Sequence, residues 1–253
     1  MKAVPSALRA FFSDHPRLAL AFSGGTDSAY LLYAALACGC DVRAYCAQSA
    51  FQPAFEREDA LRLARQLGAE LRLVPVDPLS DAAIRANPVD RCYHCKRAVF
   101  SALTAAARAE DYDIMIDGTN ASDDAGDRPG MRALGEMNIL SPLRLCGIAK
   151  AQVRMYSREA GLFTWDKPAY ACLATRVPTG EPITADILRR VEGAEGALFR
   201  LGFTDFRVRV FHNAARLQLP AMQLMEAVNR RGEIRGALKP YFNIILLNTE
   251  DRG

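Results

Sequence analysis

Three cysteines stand where sulfur could do chemistry. Cys92 and Cys95 form Cys92-Tyr93-His94-Cys95, set between Asp90-Arg91 and Lys96-Arg97 at a helix start. Two residues between cysteines bring both sulfurs to one centre, as zinc and iron–sulfur sites require, and the spacing also suits a redox pair. The neighbouring cations and the helix N-terminus would lower the thiol pKa values. One pair supplies only two ligands, so a further donor is needed, and Cys172 is the third member. Lys167 and Arg176 flank it and would favour a thiolate and hold an anionic substrate. The chain has seven cysteines, an odd number, and with no recognisable export signal a disulfide framework is not expected. Cys38, Cys40, Cys46 and Cys146 lie among apolar neighbours and read as core packing.

A second group of residues suits an anion. Ser23-Gly24-Gly25-Thr26-Asp27-Ser28 follows an apolar run directly and opens a helical pattern. The glycines let the backbone approach a ligand, and free amides at the helix start favour negative charge. Ser23 and Ser28 add hydroxyls, and Asp27 could hold a metal or orient the loop. No Gly-Lys-Ser/Thr follows, which excludes a Walker loop, and a glycine pair alone also fits a plain tight turn. Further along, strand alternation puts Arg207 and Arg209 on one face, with Arg216 on the next strand close enough to join them. Three arginines could clamp a phosphate, with Glu195 on the preceding helix orienting one of them; a solvated strand face is the alternative.

The elements that must position these residues alternate between strand and helix. Leu18–Phe22, Val42–Cys46, Leu71–Val74 and Ile114–Ile116 read as strands, separated by helices over Asp27–Ala37, Ala54–Leu67 and Cys95–Arg108, with Gly39 and Gly68 where C-caps are expected. This predicts an α/β protein, a parallel sheet with helices on both faces, and ligands at the carboxyl ends of the strands. After residue 175 the pattern changes. Pro178, Gly180 and Pro182 read as a linker, followed by a small α+β domain with helices over Ala185–Arg200 and Ala221–Arg230. Its strands are expected over Phe206–Phe211, Ala215–Leu219 and Asn243–Leu247. We therefore expect domains over 1–175 and 176–253.

Composition narrows the partners. Half the residues are hydrophobic and 24% charged, as in a globular protein. The longest apolar run, Ala29 to Cys38, is about half of a membrane span, so the expected location is the cytoplasm. A net charge of +3 is too small to argue for a nucleic-acid surface. Residues 176–253 hold 12 basic and 9 acidic residues and so carry all of it, which places any anion preference in that segment.

The glycine string resembles the PP-loop of the ATP pyrophosphatases (adenine nucleotide α-hydrolase-like proteins), which cleave ATP between the α and β phosphates. That resemblance implies ATP on the loop with Mg²⁺ bridging phosphates, Ser49 and Gly118 bordering the adenosine, and Lys150 meeting phosphate. The ordered set of the loop, Asp90-Arg91-Cys92-Tyr93-His94-Cys95-Lys96, Asp117-Gly118-Thr119-Asn120, Arg128-Pro129-Gly130, Ser141-Pro142-Leu143 and Ala171-Cys172-Leu173-Ala174-Thr175-Arg176 is more specific. It resembles the LarE family, the ATP-dependent sulfur-inserting enzymes of nickel-pincer cofactor synthesis. The resemblance implies adenylation of a carboxylate of pyridinium biscarboxylic acid mononucleotide and its conversion to a thiocarboxylate, with AMP and pyrophosphate released. It implies a 4Fe–4S cluster on Cys92, Cys95 and Cys172 as the carrier of sulfide, or in other members Cys172 itself as sacrificial donor. Asp124, Arg128, Cys172 and Arg176 would lie at the reacting centre, and Arg207, Arg209, Arg216 and Glu195 would take the substrate phosphate. It also implies a homo-oligomer assembled through the C-terminal domain. One departure is Gln218, where an acid is expected. The competing readings are a tRNA thiolase, an amide-forming synthetase and a non-catalytic adenine-nucleotide sensor; the first lacks a basic surface here, the others give the cysteines no task.

Overall fold

The computed structural model describes residues 4–123 and 129–250. In chain order the elements are α1 (Ser6–Asp14), β1 (Arg17–Ala21), α2 (Thr26–Ala37), β2 (Asp41–Gln48), α3 (Ala54–Leu67), β3 (Leu71–Pro75), α4 (Ala82–Arg85) and α5 (Arg91–Arg108). Then come β4 (Met115–Ile116), α6 (Pro129–Glu136), α7 (Pro142–Leu145), α8 (Lys150–Glu159) and α9 (Ala185–Arg200). The chain ends with β5 (Arg207–Phe211), β6 (Ala214–Gln218), α10 (Ala221–Asn229), α11 (Arg231–Leu238) and β7 (Ile245–Leu247).

Two compact units result. Unit 1 is Met1–Pro78 with Asp90–Ala169, and unit 2 is Leu79–Val89 with Tyr170–Gly253. In unit 1, β1–β4 form a fully parallel sheet in the order β3-β2-β1-β4. Alternation decides which side each strand residue faces. Leu18, Leu20, Val42, Ala44 and Cys46 pack with α1, α2, α3, α7 and α8 on one face. Ala19, Tyr45 and Met115 pack with Phe100, Leu103 and Leu134 of α5 and α6 on the other. Parallel strands buried on both faces explain why these segments read as short continuous apolar runs. In unit 2, β5 and β6 pair antiparallel and β7 joins β6 in parallel.

The division falls at Ala169/Tyr170, six residues before the expected boundary, and Leu79–Val89 also belongs to unit 2. Asn87 is the physical reason. It is fully buried in the left-handed conformation, and its Nδ2 donates to the carbonyls of Val177, Pro178 and Glu181. Gly180 N–H donates back to the Asn87 carbonyl at 2.8 Å. The breaker stretch read as a linker is thus fastened inside unit 2. Among the described residues no helix is long and apolar enough to cross a membrane.

At the amino ends of the strands, Glu110 gathers three side chains from two strands. It accepts from Arg43 on β2, from Tyr45 Oη at 2.9 Å and from Arg72 Nε on β3 at 2.9 Å. Arg43, then Tyr45 and Arg72, hold its carboxyl below the ordinary glutamate value of 4.5. A depressed carboxylate contributes stability that is present above 4.5 and lost as pH falls through the folded value. Thermal melts of wild type and Glu110→Gln should therefore differ most at neutral pH and converge in acid. A difference that does not change with pH would show that the charge of Glu110 is not what ties these strands.

Candidate functional site

In a sheet of order 3-2-1-4 the strand order reverses between β1 and β4, and ligands bind at the carboxyl ends there. The Ser23–Ser28 loop leaves β1 at that point and Asp117–Asn120 leaves β4. Backbone packs closely against the loop at two glycines. A Cβ on Gly24, whose φ is +75°, would stand 2.9 Å from the Ala60 nitrogen and the Glu56 carbonyl of α3. A Cβ on Gly118 would stand 2.9 Å from the Ser28 nitrogen. Ser23 Oγ lies 3.1 Å from Ser28 Oγ and accepts from Gly25 N–H. Buried Thr26 donates to the Thr164 carbonyl at 2.8 Å. Ser49, beyond the neighbouring β2, accepts from Phe51 N–H at 3.3 Å.

The first residue of α8 closes the loop. Lys150 Nζ lies 2.6 Å from Asp27 Oδ2, although 123 residues separate them. Asp27 Oδ1 is buried without a hydrogen-bond partner. Burial raises the Asp27 pKa against the opposing pull of Lys150. Beside this pair Asp117, 7% exposed, accepts from Thr119 N–H and Oγ1 and from Ser141 Oγ at 2.6 Å. It fastens Gly118-Thr119-Asn120 to Ser141-Pro142-Leu143, a role the sequence did not reveal because its two partners are separated by 22 residues. Asp124 and Arg128, expected at the reacting centre, lie outside the described residues.

Cys92 and Cys95 both sit in the first turn of α5, whose start at Arg91 precedes the expected Cys95. Separated by three positions, their side chains share one helix face. Arg91 Nη2 donates to Cys92 Sγ at 3.6 Å. Tyr93 between them donates to Glu136 of α6 at 2.6 Å, and the Arg132 guanidinium covers its ring at 4.4 Å. The remaining cysteines divide as expected. Cys40 and Cys46 lie in the core, with Cys38 and Cys146 packed against it. Burial pushes all four thiols up, Cys40 to about 11, away from the thiolate form. Cys172, half-buried, belongs to unit 2, where its carbonyl accepts from Thr175 N–H and Oγ1. Within the described residues no group of three or more His, Cys, Asp or Glu side chains is gathered as for a metal ion.

Unit 2 places the arginines on one sheet face. Arg209 is directly opposite Arg216 and Arg207 directly opposite Gln218, so all four side chains project the same way. Gln218 Oε1 accepts from Arg209 Nε at 2.5 Å, and Arg216 Nε is buried without a hydrogen-bond partner. Like charges directly opposite repel, and an anion between them would relieve that cost. Glu195 serves a different arginine from those of the expected clamp. It is 1% exposed and pairs with equally buried Arg176 at 2.7 Å, accepts from Tyr170 Oη, and accepts from Val208 N–H at 2.9 Å. Arg176 is therefore a buried anchor. The Tyr170 ring lies between the guanidiniums of Arg176 (4.7 Å) and Arg207 (5.0 Å). Glu195 thus fastens the Cys172 segment on both sides of the cysteine.

Sequence comparisons decide the family. Pyridinium-3,5-bisthiocarboxylic acid mononucleotide synthase of Lactiplantibacillus plantarum is 35% identical over 221 residues, covering 87% of this chain and 80% of that protein. The chain belongs to the LarE family. An uncharacterized Synechocystis protein is 40% identical over 87% of this chain and 83% of its own length. An uncharacterized protein of Methanocaldococcus jannaschii is 29% identical over 92% and 90%. No protein-family model matches. This LarE family member thus carries a parallel sheet with its glycine loop at the switch point and, in unit 2, a sheet face bearing three arginines.

Removing one partner of the Arg176–Glu195 pair leaves a buried charge unpaired, which costs about 3–5 kcal/mol. Glu195→Gln should lose stability on that scale in denaturant titrations of the full chain, and Arg176→Met with Glu195→Leu should recover most of it. A single variant as stable as wild type would remove the pair from this role.

Proposed function

We propose that the chain is a PP-loop ATP pyrophosphatase that inserts sulfur into pyridinium biscarboxylic acid mononucleotide. The observation that carries this reading is the switch-point loop, where Lys150 holds one oxygen of Asp27 and leaves the other buried without a partner. A lone carboxylate oxygen of this kind fits Mg²⁺, which Asp27 would help to hold and which would neutralise the charge of the nucleotide phosphates. The loop amides and Lys150 hold the phosphates. A substrate carboxylate oxygen attacks the α-phosphorus, the bond to the bridging oxygen breaks and pyrophosphate leaves. The resulting acyl-adenylate has AMP as a good leaving group, so a sulfur nucleophile attacks its carbon, AMP departs and a thiocarboxylate remains.

The donor set of Cys92, Cys95 and Cys172 fits a 4Fe–4S cluster, because three thiolates leave one iron open and the other four cysteines are engaged in the core. Such a cluster would supply sulfur as sulfide. Arg207, Arg209 and Arg216 hold the substrate phosphate, the Arg216 Nε left over within the described residues supporting that assignment. Exposed Met222 (87%), Met225 (69%) and Ile244 (58%) support pairing with a second copy through unit 2.

AMP and pyrophosphate should appear together, in equal amounts, only with the pyridinium substrate present; ADP and phosphate would exclude the reaction. Anaerobic protein should contain iron, labile sulfide and visible absorption. Colourless protein whose Cys172 loses one H₂S after turnover would transfer the sulfur role to Cys172. Cys172→Ala should keep AMP release and lose the thiocarboxylate, and sulfur transfer surviving in that variant would refute both versions.

Arg216→Ala should raise KM for the mononucleotide by about 10–100-fold, the scale of hydrogen bonds to a charged group, while KM for ATP stays constant. Equal effects on both would move the phosphate site elsewhere.

A further inference from the structure

Two of the three described lysines in unit 1 have carboxylate partners. Lys150 is held by Asp27 and Lys167 by Asp59 at 2.7 Å. Lys96 differs. It is half-buried, and Asp117 and Asp123 reach its ammonium through space without a side-chain hydrogen bond. The thiols of Cys92 and Cys95, in the preceding turn of α5, are also within its electrostatic reach. Its stem is aimed by Gly130 at the start of α6, where an added Cβ would stand 3.2 Å from both Cδ and Cε. The side chain therefore lies in a track that exists because residue 130 has no side chain. A half-buried lysine without a hydrogen-bonded carboxylate among the described residues keeps its donors for another anion.

We propose that Lys96 binds the substrate carboxylate that becomes adenylated. The inference rests on the adenylation reading and assigns its second reactant a place. The reacting carboxylate has two neighbours in turn, the α-phosphate of ATP and then the sulfur nucleophile. Lys96 belongs to both settings. Asp117, which it faces, fastens the β4 loop whose Gly118 backs against Ser28 of the phosphate loop. The cysteine pair is on its own helix, Cys92 one turn before it and Cys95 next to it. A lysine presents a compact charge with three rotatable donors, which can follow one oxygen from carboxylate to acyl phosphate.

Wild type, Lys96→Gln, Lys96→Arg and Gly130→Ala would be compared in the anaerobically prepared full chain, with AMP release measured against pyridinium substrate concentration. Calorimetric titration with ATP and thermal melts would run in parallel. Lys96→Gln should lower kcat/KM for AMP formation by about 10–100-fold with ATP affinity unchanged. Lys96→Arg should recover part of the loss, and Gly130→Ala should produce a smaller loss of the same kind by displacing the stem. AMP release at the wild-type rate in Lys96→Gln would overturn the proposal, including when only the thiocarboxylate is lost. Wild type that releases no AMP with the substrate would overturn the adenylation reading itself.

Discussion

Unit 1 depends on how closely its glycine loop is hemmed in. Gly24 sits against the backbone of α3 and Gly118 against the first turn of α2, each too close for a Cβ. Thr26 is tied to Thr164 and Asp27 to Lys150, partners more than a hundred residues away. The loop is held by backbone contact on two sides and by long-range polar bonds on two more. Its amides are preorganised, so an anion bound there would not have to order them. One oxygen of Asp27 is used in that framework and the other is left over within the described residues.

Unit 2 solves a related problem with buried charge. The Arg176–Glu195 pair takes two ions out of water, an arrangement that rarely adds net stability compared with apolar packing. Its value lies in geometry. Glu195 holds Tyr170 and Arg176 on either side of Cys172 and the backbone of β5 at Val208, so the cysteine segment and the arginine face share one rigid anchor. Arg207 is fixed against the same Tyr170 ring, while Arg216 keeps a donor unused.

Much of this was legible from residue patterns because it is local. The helices Ala54–Leu67 and Ala185–Arg200 have the expected ends, set by Gly68 in the left-handed conformation and by Thr184 capping Ile187 N–H. The four parallel strands lie within a residue or two of their apolar runs. The glycine loop, the cysteine pair and the arginine alternation were readable for the same reason. What escaped depends on chain-distant bonds. The Pro178–Pro182 stretch looks like a linker until Asn87 supplies its hydrogen bonds. Glu195 could not be matched to Arg176 from spacing, and Asp117 draws its importance from Ser141. Lys96 shows no signal of its own beside two cysteines; only the lack of a hydrogen-bonded carboxylate among the described residues and its track over Gly130 set it apart.

The central claim is that a carboxylate of the substrate attacks the α-phosphorus of ATP on this loop. Substrate whose carboxylate carries a heavy oxygen isotope tests it directly, by mass spectrometry of the nucleotide product. Adenylation followed by sulfur attack predicts that the released AMP holds one labelled oxygen for each thiocarboxylate formed. Unlabelled AMP alongside labelled product would contradict it, because the carboxylate oxygen would then never have been bonded to phosphorus.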